Sequence, residues 1–181
     1  RWATGVRWTV AGLAPLLVGV QAYAGITSPS APPAELRQTH PAPPPSIQFR
    51  GRAIQIQGLD NPFWQGPPQQ PNPALVDQGR AVYVSNCVFC HGDTLEGDGH
   101  FAGGLSPAPA DFTDPATITQ LQQAYLFWRI TKGGSGLPAE SAPWNSAMPA
   151  WEDTLTEDEI WKVITYLYEA SGPGVNPRTW D

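Results

Sequence analysis

An all-α fold class is what this sequence predicts: three main helices joined by long loops, preceded by an apolar N-terminal helix and a long Pro-rich extended strap. Three observations carry that expectation. Apolar residues recur at three-and-four spacing in three stretches between residues 74 and 170. The 181 residues include 21 prolines and 18 glycines, so much of the remainder is neither regular helix nor strand. No strand pattern of conviction and no internal repeat stands out. Three helices over so short a reach make a thin core, which a large apolar cofactor would complete.

Residues 1–26 come first. Trp8 to Ile26 is nineteen residues without a charge, long enough to cross a bilayer, which takes about 17–25 residues. Arg1 and Arg7 precede it and no charge follows until Glu35, so the positive-inside rule puts everything downstream on the extracytoplasmic, periplasmic side. Trp2, Trp8 and Tyr23 suit the two interfaces. We read the segment as an uncleaved, signal-like membrane anchor acting through residues 8–26. A cleaved leader is the alternative, with Ala22-Tyr23-Ala24 as its small-residue site, and both readings export the domain.

Residues 27–73 hold twelve prolines, Pro29, Pro32, Pro33, Pro41, Pro43, Pro44, Pro45, Pro62, Pro67, Pro68, Pro71 and Pro73, which oppose helix and favour polyproline II. The expected product is a stiff strap lying against partner subunits, with Ile54, Ile56, Leu59, Phe63 and Trp64 as anchors. A small satellite cluster on the following domain is the other reading of those apolar residues.

The domain proper spans 74–170. Leu75, Val76, Gly79, Val82 and Tyr83 outline a first amphipathic helix, whose mid-helix glycine suits close approach of another helix. A second runs from about Thr119 to Lys132, with Leu121, Ala124, Tyr125 and Trp128 on one face and Gly133-Gly134 ending it. The third starts at a capping box of Thr156 and Glu159, buries Ile160, Val163, Ile164 and Leu167, and stops at Gly172-Pro173. Residues 171–181 form a tail. Between the first two helices, residues 92–115 are rich in glycine, proline and aspartate, as chain wrapped around something flat would be.

Immediately after the first helix stands Cys87-Val88-Phe89-Cys90-His91. Two thiols three positions apart, followed at once by an imidazole, form the attachment pattern of a c-type heme. Each thiol adds to one vinyl group and the histidine lies beneath the iron as an axial ligand. Both cysteines of the chain are used there. A thioredoxin-like pair would need a strand before it and a βαβ surround, and a closed zinc site would need two further soft ligands. The other histidines are His40, inside a proline run, and His100, so such a site would have to borrow carboxylates.

The sixth iron position calls for a soft thioether in an electron carrier. The chain's one methionine, Met148, lies 57 residues after His91, beside Pro149 in a loop just before the third helix. We therefore expect one covalent heme c, with Cys87, Cys90, His91 and Met148 as its binding residues and His91 and Met148 as the iron ligands. His100 is the rival ligand, but it stands close to His91 in a glycine-rich loop.

The order of helix, Cys-x-x-Cys-His, loop, middle helix, Met-Pro and final helix resembles the small mitochondrial-type (class I) c-type cytochromes over residues 74–170. That resemblance implies a cytochrome c fold in which the first and last helices cross at a glycine and an aromatic, here Gly79 and Tyr83 against Val163 and Tyr166. It also implies that a proline carbonyl, of Pro107 or Pro109, orients the histidine ring. More narrowly, the strap with Gly58-Leu59-Asp60-Asn61-Pro62-Phe63-Trp64 followed by such a domain resembles, over residues 51–170, the membrane-anchored monoheme cytochrome subunit of bacterial alternative complex III.

The charge is uneven. Residues 1–50 carry four arginines and one glutamate, net +3, and residues 51–181 carry six basic and fifteen acidic groups, net −9. So acidic a domain argues against nucleic acid and favours basic protein partners. The expected function is one-electron transfer without bond-making chemistry, hence no enzyme in its own right. The setting implied is a membrane quinol-oxidising complex of respiratory or photosynthetic electron transport. A donor heme in the same complex would supply the electron and a periplasmic acceptor would take it. A subunit of a terminal oxidase or other respiratory complex is the alternative. From another class come an open-site heme peroxidase or sensor, and a zinc or disulfide tether. Phe89, Phe101, Trp128, Trp144 and Trp151 are expected to keep water from the heme. Arg129, Lys132 or a tryptophan N–H are expected to meet its propionates. Glu152, Asp153 and Glu157 to Glu159 form an acidic cluster that either complements the helix dipole or docks a basic partner.

Overall fold

The computed structural model describes residues 40–138, 146–172, 176 and 177, together with Pro15, residues 17–21 and Tyr23. The chain divides into two compact units, Arg1–Leu36 and Arg37–Asp181. In the first, the described residues are helical and exposed. The rest of the expected anchor, with Arg1, Trp2, Arg7 and Trp8, lies outside the described residues. Among the described residues no helix is long and apolar enough to cross a membrane.

The second unit opens with what the prolines concealed. Strands β1 (Ser46–Phe49) and β2 (Arg52–Gln55) pair antiparallel, with Ile47 opposite Ile54 and Phe49 opposite Arg52. Arg50 and Gly51 both have positive φ, +48° and +80°, as a two-residue hairpin turn requires. Alternation sends Ile47, Phe49 and Ile54 inward, and Ile56 follows them into the core. The strap expected over 27–73 is thus corrected for its second half: residues 46–64 are a hairpin and a buried arm of the domain. Their apolar side chains are the satellite cluster, because Phe49 packs 6.1 Å from Phe127, which stacks at 4.5 Å on Trp161. The polar contacts agree. Arg50 donates from Nε to the Glu152 carbonyl at 2.6 Å and from its guanidinium to that of Leu155 at 3.1 Å, and Arg52 pairs with Glu157.

Asn61 locks the arm down. Fully buried, it donates to Gln123 Oε1 at 2.5 Å and Thr165 Oγ1 at 2.9 Å, while Gln123 Nε2 donates to the Trp64 carbonyl at 2.9 Å. Each buried polar atom in that set has a partner, which is what makes such a network stabilising.

Among the described residues five helices follow: α1 (Pro73–Asn86), α2 (Val88–His91), α3 (Pro115–Ile118), α4 (Gln123–Lys132) and α5 (Glu157–Ala170). Single 3₁₀ turns lie at Ala102–Gly104 and Gly134–Gly136. Asn72 caps α1, with Pro73 at the first helical position, where a missing N–H costs nothing. Thr156 and Glu159 form the expected capping box of α5. The middle helix starts at Gln123 rather than Thr119, because the Leu121 carbonyl accepts from Tyr168 Oη at 2.7 Å and Gln122 is extended. Helices α1 and α5 cross where Gly79 lies. A Cβ there would fall 2.6 Å from the Lys162 carbonyl carbon and 2.9 Å from Tyr166 Cβ, so only glycine fits. Tyr83 adds a tilted ring contact with Tyr166 at 5.4 Å.

Candidate functional site

The crossing of α1 and α5 fixes the start of α2, and with it the cysteine motif. Cys87 ends α1 and opens α2, Cys90 and His91 lie in α2, and Gly92 terminates the helix with φ +78°. The chain then folds back: Gly97 N–H donates to the His91 carbonyl at 3.0 Å and Phe101 N–H to that of Phe89 at 2.9 Å.

His91 is held on two sides. Its Nδ1 lies 3.2 Å from the Ala110 carbonyl and its ring stacks on Phe112 at 4.9 Å. A carbonyl only accepts, so Nδ1 carries the proton and Nε2 keeps its lone pair. The orienting carbonyl is therefore that of Ala110, not of Pro107 or Pro109. Asp111 explains why, since its Oδ1 accepts from Thr113 N–H at 2.8 Å, Thr113 Oγ1 at 2.6 Å and Asp114 N–H at 3.2 Å, which fixes the turn just after Ala110. Burial lowers the pKa of His91 and keeps the ring neutral, outweighing the opposing pull of the Ala110 bond.

Met148 is positioned from α4. Gly134 N–H donates to its carbonyl at 2.7 Å, and Trp151 N–H donates to that of Ile130 at 3.1 Å. Gly133 adopts φ +57°, and a Cβ there would lie 2.5 Å from the Met148 carbonyl oxygen. Lys132 Nζ pins the far end of the loop through both Glu152 carboxylate oxygens at 2.7 Å.

Cys87, Cys90, His91 and Met148 all line one cavity of about 360 Å³. Its walls are mainly apolar, with Leu105, Phe112, Leu121, Leu126, Ile130 and Trp151 among them. That size and lining are ordinary for a cofactor site. Burial, with Cys90 adding to it, pushes the Cys87 thiol up to about 12. The two cysteines are not joined to each other, and among the described residues no group of three His, Cys, Asp or Glu side chains could hold a metal ion. The residues present fit a heme attached through two thiols better than a zinc or disulfide tether.

Other expectations fare unevenly. Arg129 and Trp151 line the cavity. Lys132 does not meet it, being committed to Glu152. Phe89 and Phe101, 54% and 56% exposed, pair with each other at 6.0 Å outside the cavity. Trp128 is buried in the core without lining the cavity, and Trp144 lies outside the described residues. His100 sits edge-on to Phe101 at 5.2 Å, away from the cavity. In the acidic cluster Glu152 pairs with Lys132, Glu157 with Arg52, and Glu159 caps α5, so structural roles account for three of the five. Among the lining or orienting groups that the sequence did not point to are His40, Ala110 and Phe112. No local pattern marks His40, whose place depends on the hairpin.

Residues 74–167 match the family described as cytochrome c oxidase, cbb3-type, subunit III. A cbb3-type cytochrome c oxidase subunit FixPc of Rhizobium leguminosarum bv. viciae is 24% identical over 127 residues, 70% of this chain and 36% of that protein. The corresponding FixP subunit of Bradyrhizobium sp. (strain ORS 278) is 30% identical over 94 residues, 52% of this chain and 27% of its own length. Cytochrome c6 of Cladophora glomerata is 31% identical over 98 residues, 52% of this chain and 88% of that protein. The chain thus spans about a third of the oxidase subunits it matches and nearly all of the cytochrome c6.

Proposed function

The chain belongs to the c-type cytochrome family of the cbb3-type oxidase subunit III, with covalent heme c as cofactor, and from that premise we propose a one-electron carrier domain of a terminal-oxidase-type complex. Cys87 and Cys90 hold the heme, and His91 and Met148 ligate its iron. The observation that carries this reading is the gathering of those four side chains, and of no other cysteine or methionine, around one apolar cavity. The heme supplies an iron that changes oxidation state by one electron without bond making.

The chain's own residues do the rest. Ala110 and Phe112 fix the His91 ring, so that little rearrangement accompanies a change of iron charge. The apolar walls exclude water and disfavour the extra positive charge of the oxidised state, which raises the reduction potential. Gly133 and Gly134 let the Met148 loop pack directly on the end of α4.

The oxidase setting replaces the quinol-oxidising complex as the preferred one, since relatives that are oxidase subunits support it and the alternative complex III likeness finds no such support. Attachment to a membrane complex and an extracytoplasmic heme domain follow from that reading.

Substitution of Met148 by leucine tests the site. A lowered midpoint potential, an altered visible spectrum and rapid carbon monoxide binding to the reduced protein are expected. An unchanged spectrum and midpoint would overturn the ligation. Rapid stoichiometric carbon monoxide binding to the unsubstituted protein at neutral pH would instead favour the open-site peroxidase or sensor.

A further inference from the structure

One histidine lines the cavity from far outside the cytochrome motif. His40 is brought there by the segment before the hairpin, 34 residues ahead of Ala74. Its ring meets Tyr125 edge-on at 5.9 Å, and Tyr125 and Arg129 stand one turn apart on α4, facing the same space. Pro41 is buried, Pro43 to Pro45 follow, and the Pro45 carbonyl accepts from Ile56 N–H at 2.9 Å. A proline run tied to the hairpin presents His40 with little conformational freedom to lose.

The charges around it are unbalanced. Among the described residues Arg129 is the one lysine or arginine lining the cavity, and its guanidinium donates to a neutral acceptor, the Gly133 carbonyl, at 2.6 Å. Among the described residues no carboxylate pairs with it. Among the described residues the other titratable groups lining the cavity are Cys87, Cys90, His91 and Tyr125, from α2 and α4, with no aspartate or glutamate. His40, itself exposed, and the half-buried Arg129 thus face one cavity with no carboxylate among its described lining residues, so an anion bound there would meet two cation-forming partners.

We propose that His40 and Arg129 together clasp a carboxylate of the bound heme, so that the segment before the hairpin is part of the heme site and the charge on His40 is coupled to the oxidation state of the iron. This rests on the heme reading above. Burial and the neighbouring Arg129 lower the His40 pKa while the cavity lacks an anion; a carboxylate beside the ring acts in the opposite direction. Protonated His40 adds positive charge near the iron and disfavours its oxidised state, so the midpoint falls as pH rises through the His40 pKa. By reciprocity, oxidised iron must lower the pKa of His40 relative to reduced iron.

The test uses the full holoprotein, with heme content and visible spectrum checked in every sample. The midpoint of the unsubstituted protein should fall across about pH 5–8, the range in which histidine titrates. His40→Gln should flatten that slope while leaving heme content and the iron-ligand bands unchanged, and Arg129→Gln should lower the midpoint throughout. NMR titration of His40 in the unsubstituted protein should give a lower pKa in the oxidised than in the reduced form. Equal values in the two forms, or a His40→Gln curve superimposable on the parent, overturn the proposal and leave the heme site standing. A protein that carries no covalent heme overturns the site reading itself.

Discussion

The two walls of the cavity are built on different principles. The wall that carries His91 is stitched by short-range contacts: a helical turn, a carbonyl 19 residues on, and the stacked Phe112 ring. The wall that carries Met148 is, over residues 146–151, chain without helix or strand, laid on the end of α4 because Gly133 and Gly134 leave room, and tethered by Lys132 and Glu152. One wall is locked by its own fold, and the other is borrowed from a neighbour. The sulfur side should therefore detach before the imidazole side does.

Removing the Phe112 ring is the largest expected insult. Phe112→Ala should cost about 3 kcal/mol of stability, as loss of a buried aromatic does, and should loosen the His91 wall without releasing Met148. Thermal denaturation and the ligand-sensitive part of the visible spectrum would report both; release of Met148 ahead of any loss of stability would contradict the division. Gly133→Ala attacks the other wall. The Cβ meets the Met148 carbonyl in a backbone conformation that suits glycine, so about 1–3 kcal/mol of strain is expected. Methionine ligation should be lost while heme remains attached, seen as new carbon monoxide binding.

Smaller changes sharpen the contrast. Thr156→Ala removes the cap of α5, next to the Met148 loop, and should cost about 1 kcal/mol. Hydrogen bonds from Thr156 hold Glu159 below its usual 4.5, and those from Thr113 hold Asp111 below its usual 3.8. Both stabilisations exist above those ordinary values and disappear as pH falls through the lower folded ones. Acid titration should show Thr156→Ala losing part of the parent's pH dependence below about pH 4.5, while Thr113→Val should lose the share of the Asp111 part that the Thr113 hydroxyl supplies, the Thr113 and Asp114 backbone donors remaining. Smallest is Thr131→Val. The Thr131 hydroxyl is buried without a partner among the described residues, so an isosteric methyl should leave stability unchanged or raise it by about 1 kcal/mol in denaturant titration.

How far each wall could be foreseen follows the same division. The His91 wall is local chemistry, and five consecutive residues with the glycine of α1 announce it. Met148 was legible for a different reason, as a solitary thioether beside proline. The carbonyl that orients His91 was not, because Asp111 and its turn decide between three neighbouring peptide groups. The hairpin did leave a trace in the alternation of Ile47, Phe49, Ile54 and Ile56 around Arg50-Gly51. Flanking prolines masked it, since each obstructs regular structure only at its own position, whereas their number suggested an extended strap throughout. His40 had no trace at all, for its contacts with Tyr125 and Arg129 are made some 85 to 89 positions away.

The hairpin has a practical side. The family match begins at residue 74, yet Phe49, Ile54, Ile56 and Trp64 are buried on the body that follows. A fragment excised at that point would leave the faces of Phe127, Trp161 and Tyr168 bare and strip Asn61 from Gln123 and Thr165. The smallest piece worth expressing by itself starts upstream of His40, with the arm still wrapped around the domain it shields.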